Sequence, residues 1–299
     1  HSLIYDDSRK RVTGVRVVDA ATRKTTEYFA KVVFLCGSTL NSTALLLNSR
    51  NSRFPNGLGN DSGELGHNLM DHHNGGGATA SFPGLSDRYY RGRRATSMYI
   101  PRFRNVGKRE EKFTRGYGYE VYTNRGSWTR GIDSADFGAD FKNEITRPGE
   151  WSLYTEGYGE TLSNHENRMW LSPDKTDSWG IPKIHVSMKY GDNEKAMAKQ
   201  MMDDAVEMLQ ASGLENIQGF NREVTPGSVI HEMGTARMGR DPKTSVLNAH
   251  NQVHAVPNVF VTDGSCMVSS PTQNPSLTYM ALTARAASYA VEQLKRGEI

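Results

Sequence analysis

Two short apolar runs constrain this 299-residue chain more than any other feature in it. Lys31–Cys36 reads KVVFLC, and Asn258–Asp263 reads NVFVTD. Apolar runs without polar alternation fit strands covered on both faces, as in a parallel sheet. Each run ends in a Gly-Ser turn, at Gly37–Ser38 and at Gly264–Ser265, and a helix pattern lies beyond each. The first helix follows at once, with Asn41 or Ser42 as its N-cap and Ala44–Leu47 as its apolar content. For the second, Asn274 is placed to cap, Pro275 suits the first turn, and Thr278–Leu294 is a long Ala-rich stretch. Strand, glycine turn and helix, found twice, point to a doubly wound α/β sheet. Ligands of such sheets sit beyond the carboxyl ends of the strands.

The intervening sequence has a different character. Arg11–Ala20 and Thr25–Ala30 read as strands of a β-meander, and the chain opens at His1 in what reads as the middle of a strand. Residues 54–77 are dense in Gly and Asn and read as an irregular connector. His67, His72 and His73 lie on that strip without the spacing or Cys/Glu partners of a metal set, so no metal is expected. Residues 78–190 hold strand candidates at Tyr117–Tyr122, Trp151–Tyr158, Arg168–Leu171 and Ile184–Met188, with no helix between them. That succession implies an antiparallel sheet. Asp192–Gly213 is the clearest helix, with Ala196, Met197, Met201, Ala205, Met208 and Leu209 near one face and Gly213 as its stop.

Charge and cysteine usage exclude other classes. The Arg88–Arg94 stretch, with Arg88, Arg91, Arg93 and Arg94 around Tyr89 and Tyr90, reads as a solvated loop. The net charge of +3 gives no reason to expect nucleic acid as partner. No run approaches the roughly 20 apolar residues of a membrane helix, so a soluble protein, cytoplasmic or periplasmic, is expected. Cys36 and Cys266 form no disulfide framework and read as packing residues.

The chemistry concentrates near the C-terminus. His231–Gly239 reads HEMGTARMG, in which Gly234 and Gly239 imply a tight backbone holding one imidazole. Histidine is a natural general base, since its ordinary pKa of about 6.5 lies near working pH. The helix start behind Asn274 offers free N–H groups and partial positive charge to an electron-rich ligand. Residue chemistry alone therefore gives a ligand site with one base, His231, and one uncharged polar partner, Asn274.

At these residues the chain resembles the glucose–methanol–choline family of flavoprotein oxidoreductases. HEMGTARMG is similar to that family's His-x-x-Gly-Thr-x-x-Met-Gly signature, NVFVTDGS to its flavin-contacting strand and turn, and PTQNPSLT to its final helix start. VVFLCGSTLNSTALLLNS and GHNLMDHH match further family stretches, in the family's order. The resemblance implies an α/β plus α+β architecture. Residues 1–77 and 227–299 would form a partial Rossmann-like FAD-binding domain, and residues 78–226 a substrate-binding domain built on an antiparallel sheet. It also implies that an alcohol group, of a sugar or polyol, is oxidised by hydride transfer to flavin N5, with His231 as base and Asn274 orienting the substrate oxygen. FAD would meet Gly37 and Ser38 at its adenosine half, Asp263 and Gly264 at its pyrophosphate or ribityl chain, and Asn274 and Pro275 at the pyrimidine edge of the flavin. The partners implied are a small alcohol or sugar and an electron acceptor that the residues do not identify. One departure stands out: no G-x-G-x-x-G follows a strand and opens a helix. The chain is therefore expected to be a piece of a longer FAD enzyme, inactive by itself. The alternatives are a flavin-dependent hydroxynitrile-type lyase and a non-catalytic piece that binds no flavin.

Overall fold

The computed structural model describes residues 1–88, 97–107, 109 and 112–299. Of the Arg88–Arg94 stretch, only Arg88 lies within the described residues, and it pairs with neighbouring Asp87. The chain begins with strands β1 (Ser2–Asp6), β2 (Arg11–Val18), β3 (Thr25–Phe29) and β4 (Val33–Leu35), followed by helix α1 (Thr39–Asn48). Strands β5 (Gly76–Phe82), β6 (Met98–Ile100) and β7 (Tyr117–Arg125) precede helix α2 (Ala139–Thr146). Next come β8 (Trp151–Gly159), β9 (Arg168–Thr176) and β10 (Pro182–Ser187), then helix α3 (Asp192–Ala211). Strands β11 (Glu215–Asn221), β12 (Gln252–Val253) and β13 (Val256–Val261) lead to helix α4 (Ser276–Arg296). The architecture is mixed α/β with antiparallel sheets and one parallel pair among the described residues.

The chain forms two compact units. The first comprises residues 1–72, 161–189 and 226–299. Within it, β13 pairs in parallel with β4, Val259 opposite Val33 and Val261 opposite Leu35. Both faces of this pair are covered, which is why its strands read as unbroken apolar runs. Val33, Leu35, Val259 and Val261 face a core shared with Leu46, Phe54, Met70 and Met233. Phe34 stacks on Phe260 on the other face, and Phe260 packs with Ala286 and Ala290 of α4. Strands β1, β2 and β3 form the antiparallel meander. Buried Asn258 ties it to β13: its carbonyl accepts from Val12 N at 3.0 Å, and its amide donates to Val12 O at 2.6 Å and Lys31 O at 2.8 Å.

The second unit comprises residues 73–160 and 190–225. Its antiparallel sheet has the order β11-β5-β8-β7-β6. Helix α3 covers one face, burying Met197, Met201 and Ala205 against Tyr117, Tyr119 and Val121. The phenol of Tyr119 donates to Met201 O at 2.7 Å, and that of Tyr117 donates to Asp204 at 2.6 Å. Gly76 permits the close approach, since a Cβ there would stand 2.2 Å from Ala198 O.

Several local readings are corrected by the structure. Helix α1 starts at Thr39 behind Ser38, so neither Asn41 nor Ser42 is its N-cap. Ser42 turns inward instead, where its hydroxyl accepts from Gly37 N at 2.9 Å. Helix α4 starts at Ser276 behind Pro275, so Asn274 lies one residue before the cap. The β9–β10 hairpin, read with the middle strands, packs in the first unit, because Met169 and Leu171 supply its core.

Candidate active site

The strip His231–Gly239 runs beside the turn that follows β13. Gly234 N donates to Gly264 O at 3.1 Å, Ala236 N to Ser265 O at 2.8 Å, and Met238 N to Cys266 O at 3.0 Å. Gly264 has no room for a side chain: a Cβ would meet Glu232 O and Thr39 Oγ1, both at 2.4 Å. The turns after β4 and β13 are joined through Ser42, which donates to Asp263 Oδ2 at 2.5 Å. The other carboxylate oxygen of Asp263 accepts from Ser265 N at 3.0 Å and Ser265 Oγ at 2.6 Å. Asp263 is thus a buried turn cap whose carboxylate is filled by donors from this chain.

On its other side, the His231 strip pairs with residues that sequence reasoning placed in a connector. Met70 and Met233 exchange backbone hydrogen bonds of 2.9 and 2.8 Å. That antiparallel register carries two residues onward to His72 opposite His231. Their rings meet edge to face with centroids 4.7 Å apart, and the two Nδ1 atoms are 2.9 Å apart. Asp71, fully buried, accepts from the backbone N–H groups of His72 at 2.8 Å, His231 at 2.9 Å and Val229 at 3.1 Å. Burial raises the Asp71 pKa above its ordinary value, against the pull of these three donors. Ile230, exposed and β-branched, is held at φ +62° just before His231. Strain of that kind costs on the order of 1–3 kcal/mol and persists where the surroundings over-determine the backbone.

The remaining expected site residues, Gly37, Ser38, Asn274 and Pro275, lie in the same unit, and all but Pro275 are exposed. Gly37 and Ser38 are exposed at the carboxyl end of β4, with Ser38 at φ +71°. Pro275 is buried and Asn274 exposed, and Asn274 has no hydrogen-bond partner among the described residues. No side chain caps α4 and no acidic residue occupies its first turn, so its positive end is left for an electron-rich group. The structure brings His231, Asp263 and Gly264 together through the contacts above. It adds Asp71 and His72, which the sequence reading quoted within GHNLMDHH, with His72 weighed only as a metal ligand, and did not place beside His231. Their signal lay in Leu69–Met70, a buried apolar pair inside a polar, Gly-rich strip.

The cysteines differ in chemistry. Burial, with nearby Asp263, pushes the Cys266 thiol up to about 12, whereas Cys36 is exposed. Alkylation at pH 8 is therefore expected to label Cys36 and to spare Cys266 until the protein is unfolded. Peptide mapping checks this, and equal labelling of both in the folded protein would contradict the burial of Cys266.

Comparison with known proteins gives concordant results. Two family models, both described as GMC oxidoreductase, match residues 1–74 and 163–283. The chain is 30% identical over 286 residues to 2-methyl-1,2-propanediol dehydrogenase of Mycolicibacterium austroafricanum, covering 93% of this chain and 51% of the relative. It is 27% identical to the fructose dehydrogenase large subunit of Gluconobacter japonicus, covering 97% and 52%. The chain spans about half the length of these curated relatives. Among solved structures, a formate oxidase variant from Aspergillus oryzae RIB40, described for its FAD modification, superposes with a TM-score of 0.66 at 15% identity. That match covers 99% of this chain and 60% of the other.

Proposed function

Because the chain belongs to the GMC oxidoreductase family, we propose that it contributes the base and part of the cofactor seat of an FAD-dependent enzyme that oxidises an alcohol group. GMC oxidoreductases are FAD-dependent, and the residues present suit that cofactor. Gly37 and Ser38 offer exposed backbone beyond a parallel strand, Asp263 and Gly264 form a tight turn beside them, and the N-terminus of α4 at Pro275 is uncapped. These residues would hold FAD, which would supply the hydride acceptor for oxidation of a carbinol.

The chain's own residues handle the proton and the geometry. His231 takes the hydroxyl proton, and Asn274 orients the substrate oxygen without adding charge. The observation that carries this reading is the double anchoring of His231, by Asp71 on its backbone and by His72 on its ring. A base held by two buried partners keeps its aim through the reaction.

For substrate we favour a sugar or polyol. Two relatives that the chain matches are named for a polyol and a sugar, 2-methyl-1,2-propanediol dehydrogenase and the fructose dehydrogenase large subunit, and these names support the reading. Asn274→Ala in the FAD-loaded natural gene product is expected to slow substrate-dependent flavin reduction by about tenfold to a hundredfold, with flavin content retained. Stopped-flow absorbance measures this, and an unchanged rate would remove Asn274 from the site.

A further inference from the structure

Resting on the reading of His231 as proton acceptor, we propose that His72 is a positioning residue that fixes the tautomer of His231 and keeps the His231 Nε2 lone pair open. The assignment follows from hydrogen-bond chemistry, beginning at a backbone carbonyl. His72 Nε2 contacts Pro271 O, and a carbonyl oxygen can only accept, so the hydrogen is on Nε2. His72 is fully buried, and burial, with His231 beside it, lowers its pKa to about 4. The ring is neutral at working pH and carries one hydrogen, so its Nδ1 is a bare acceptor.

Nδ1 of His231 stands 2.9 Å from that acceptor and must supply the hydrogen between them. Neutral His231 then has no hydrogen on Nε2. Among the described residues Nε2 has no hydrogen-bond partner. The opposite tautomer would present an N–H to a substrate hydroxyl and could not take its proton. When His231 is protonated, Nδ1–H still donates to His72, so the contact survives proton uptake without rearrangement. The relay also reaches the other half of the site, since Pro271 lies three residues before Asn274.

The arrangement differs from a carboxylate-oriented imidazole. The orienting group here is neutral, so it fixes which nitrogen is bare without adding the negative charge that would strongly raise basicity. Asp71, whose carboxylate could have served, is occupied by backbone N–H groups.

The test is nitrogen-15 NMR of the histidine rings in the natural gene product, assigned with His72 and His231 variants. The parent is expected to show His72 as the Nε2–H tautomer and His231 as the Nδ1–H tautomer with a bare Nε2. In His72→Phe the acceptor is gone, and the Nε2–H form of His231 should grow. In His72→Asn, Oδ1 falls where Nδ1 stood, and the Nδ1–H form should persist. Flavin reduction should fall at least about tenfold in His72→Phe and recover in part in His72→Asn. A parent His231 with its hydrogen on Nε2, or a tautomer indifferent to His72→Phe, would overturn the proposal. Should His72→Phe not fold, the parent spectrum and His72→Asn decide the matter. A His231→Ala protein that still reduced its flavin would sink the base reading and leave the tautomer assignment standing.

Discussion

Replacing His231 with alanine in the FAD-loaded natural gene product lowers the rate of substrate-dependent flavin reduction at least a hundredfold. A positioned general base contributes about 10²–10⁴ in rate, and His231 is the one histidine of the 231–239 strip. Flavin content is expected to stay near that of the parent. The residues proposed to hold FAD are in the turns after β4 and β13, which are tied to each other through Ser42 and Asp263, and at the start of α4. The fold should persist too, because Asp71 grips the backbone N–H of residue 231 and not its ring. Anaerobic stopped-flow absorbance separates chemistry from binding, and a rate within threefold of the parent would refute the role.

Replacing Asp71 with alanine is expected to destabilise the protein by about 3–5 kcal/mol. The carboxylate is fully buried and accepts three backbone N–H groups, from His72, Val229 and His231. An unsatisfied buried donor costs about 1–3 kcal/mol, and three sharing one cavity relax together, so the sum falls short of the maximum. Asp71→Asn keeps an acceptor oxygen but turns an NH₂ towards donors, and should fall between the parent and alanine. Urea unfolding measures the change as a shift in midpoint at constant slope. A loss under about 1 kcal/mol would mean that water replaces the carboxylate. Because Asp71 carries the backbone of His231, activity in Asp71→Ala should fall even below its unfolding temperature.

The parallel pair was legible because both its faces are buried. Val33 and Leu35 point into one core and Phe34 into another, so Lys31–Cys36 carries no polar residue between them. Helix α3 was legible because Met197, Met201 and Ala205 repeat at helical spacing. Helix α2 was not, since none of its residues is buried and its eight residues carry only the Phe141–Ile145 pair at helical spacing. Strand β11, ENIQGFN, is an edge strand whose pairing with β5 is fixed by tertiary context. Of the site, His231 was visible in its glycine-bounded signature. His72 was not, because nothing local links it to a residue 159 positions away. The Met70–Met233 register and the carboxylate of Asp71, shared by both backbones, bring the two rings together. The strained backbone at Ser38 was equally hidden, since serine shows no preference for the left-handed region it occupies there.

The proposed chemistry is tested most directly by mixing the FAD-loaded natural gene product, without oxygen, with a panel of sugars, polyols and simple alcohols. At least one of them is expected to bleach the oxidised flavin absorbance in a single saturable phase. Flavin that stays oxidised with every alcohol, while the same protein cleaves a cyanohydrin, would contradict alcohol oxidation and assign the His231 site to lyase chemistry.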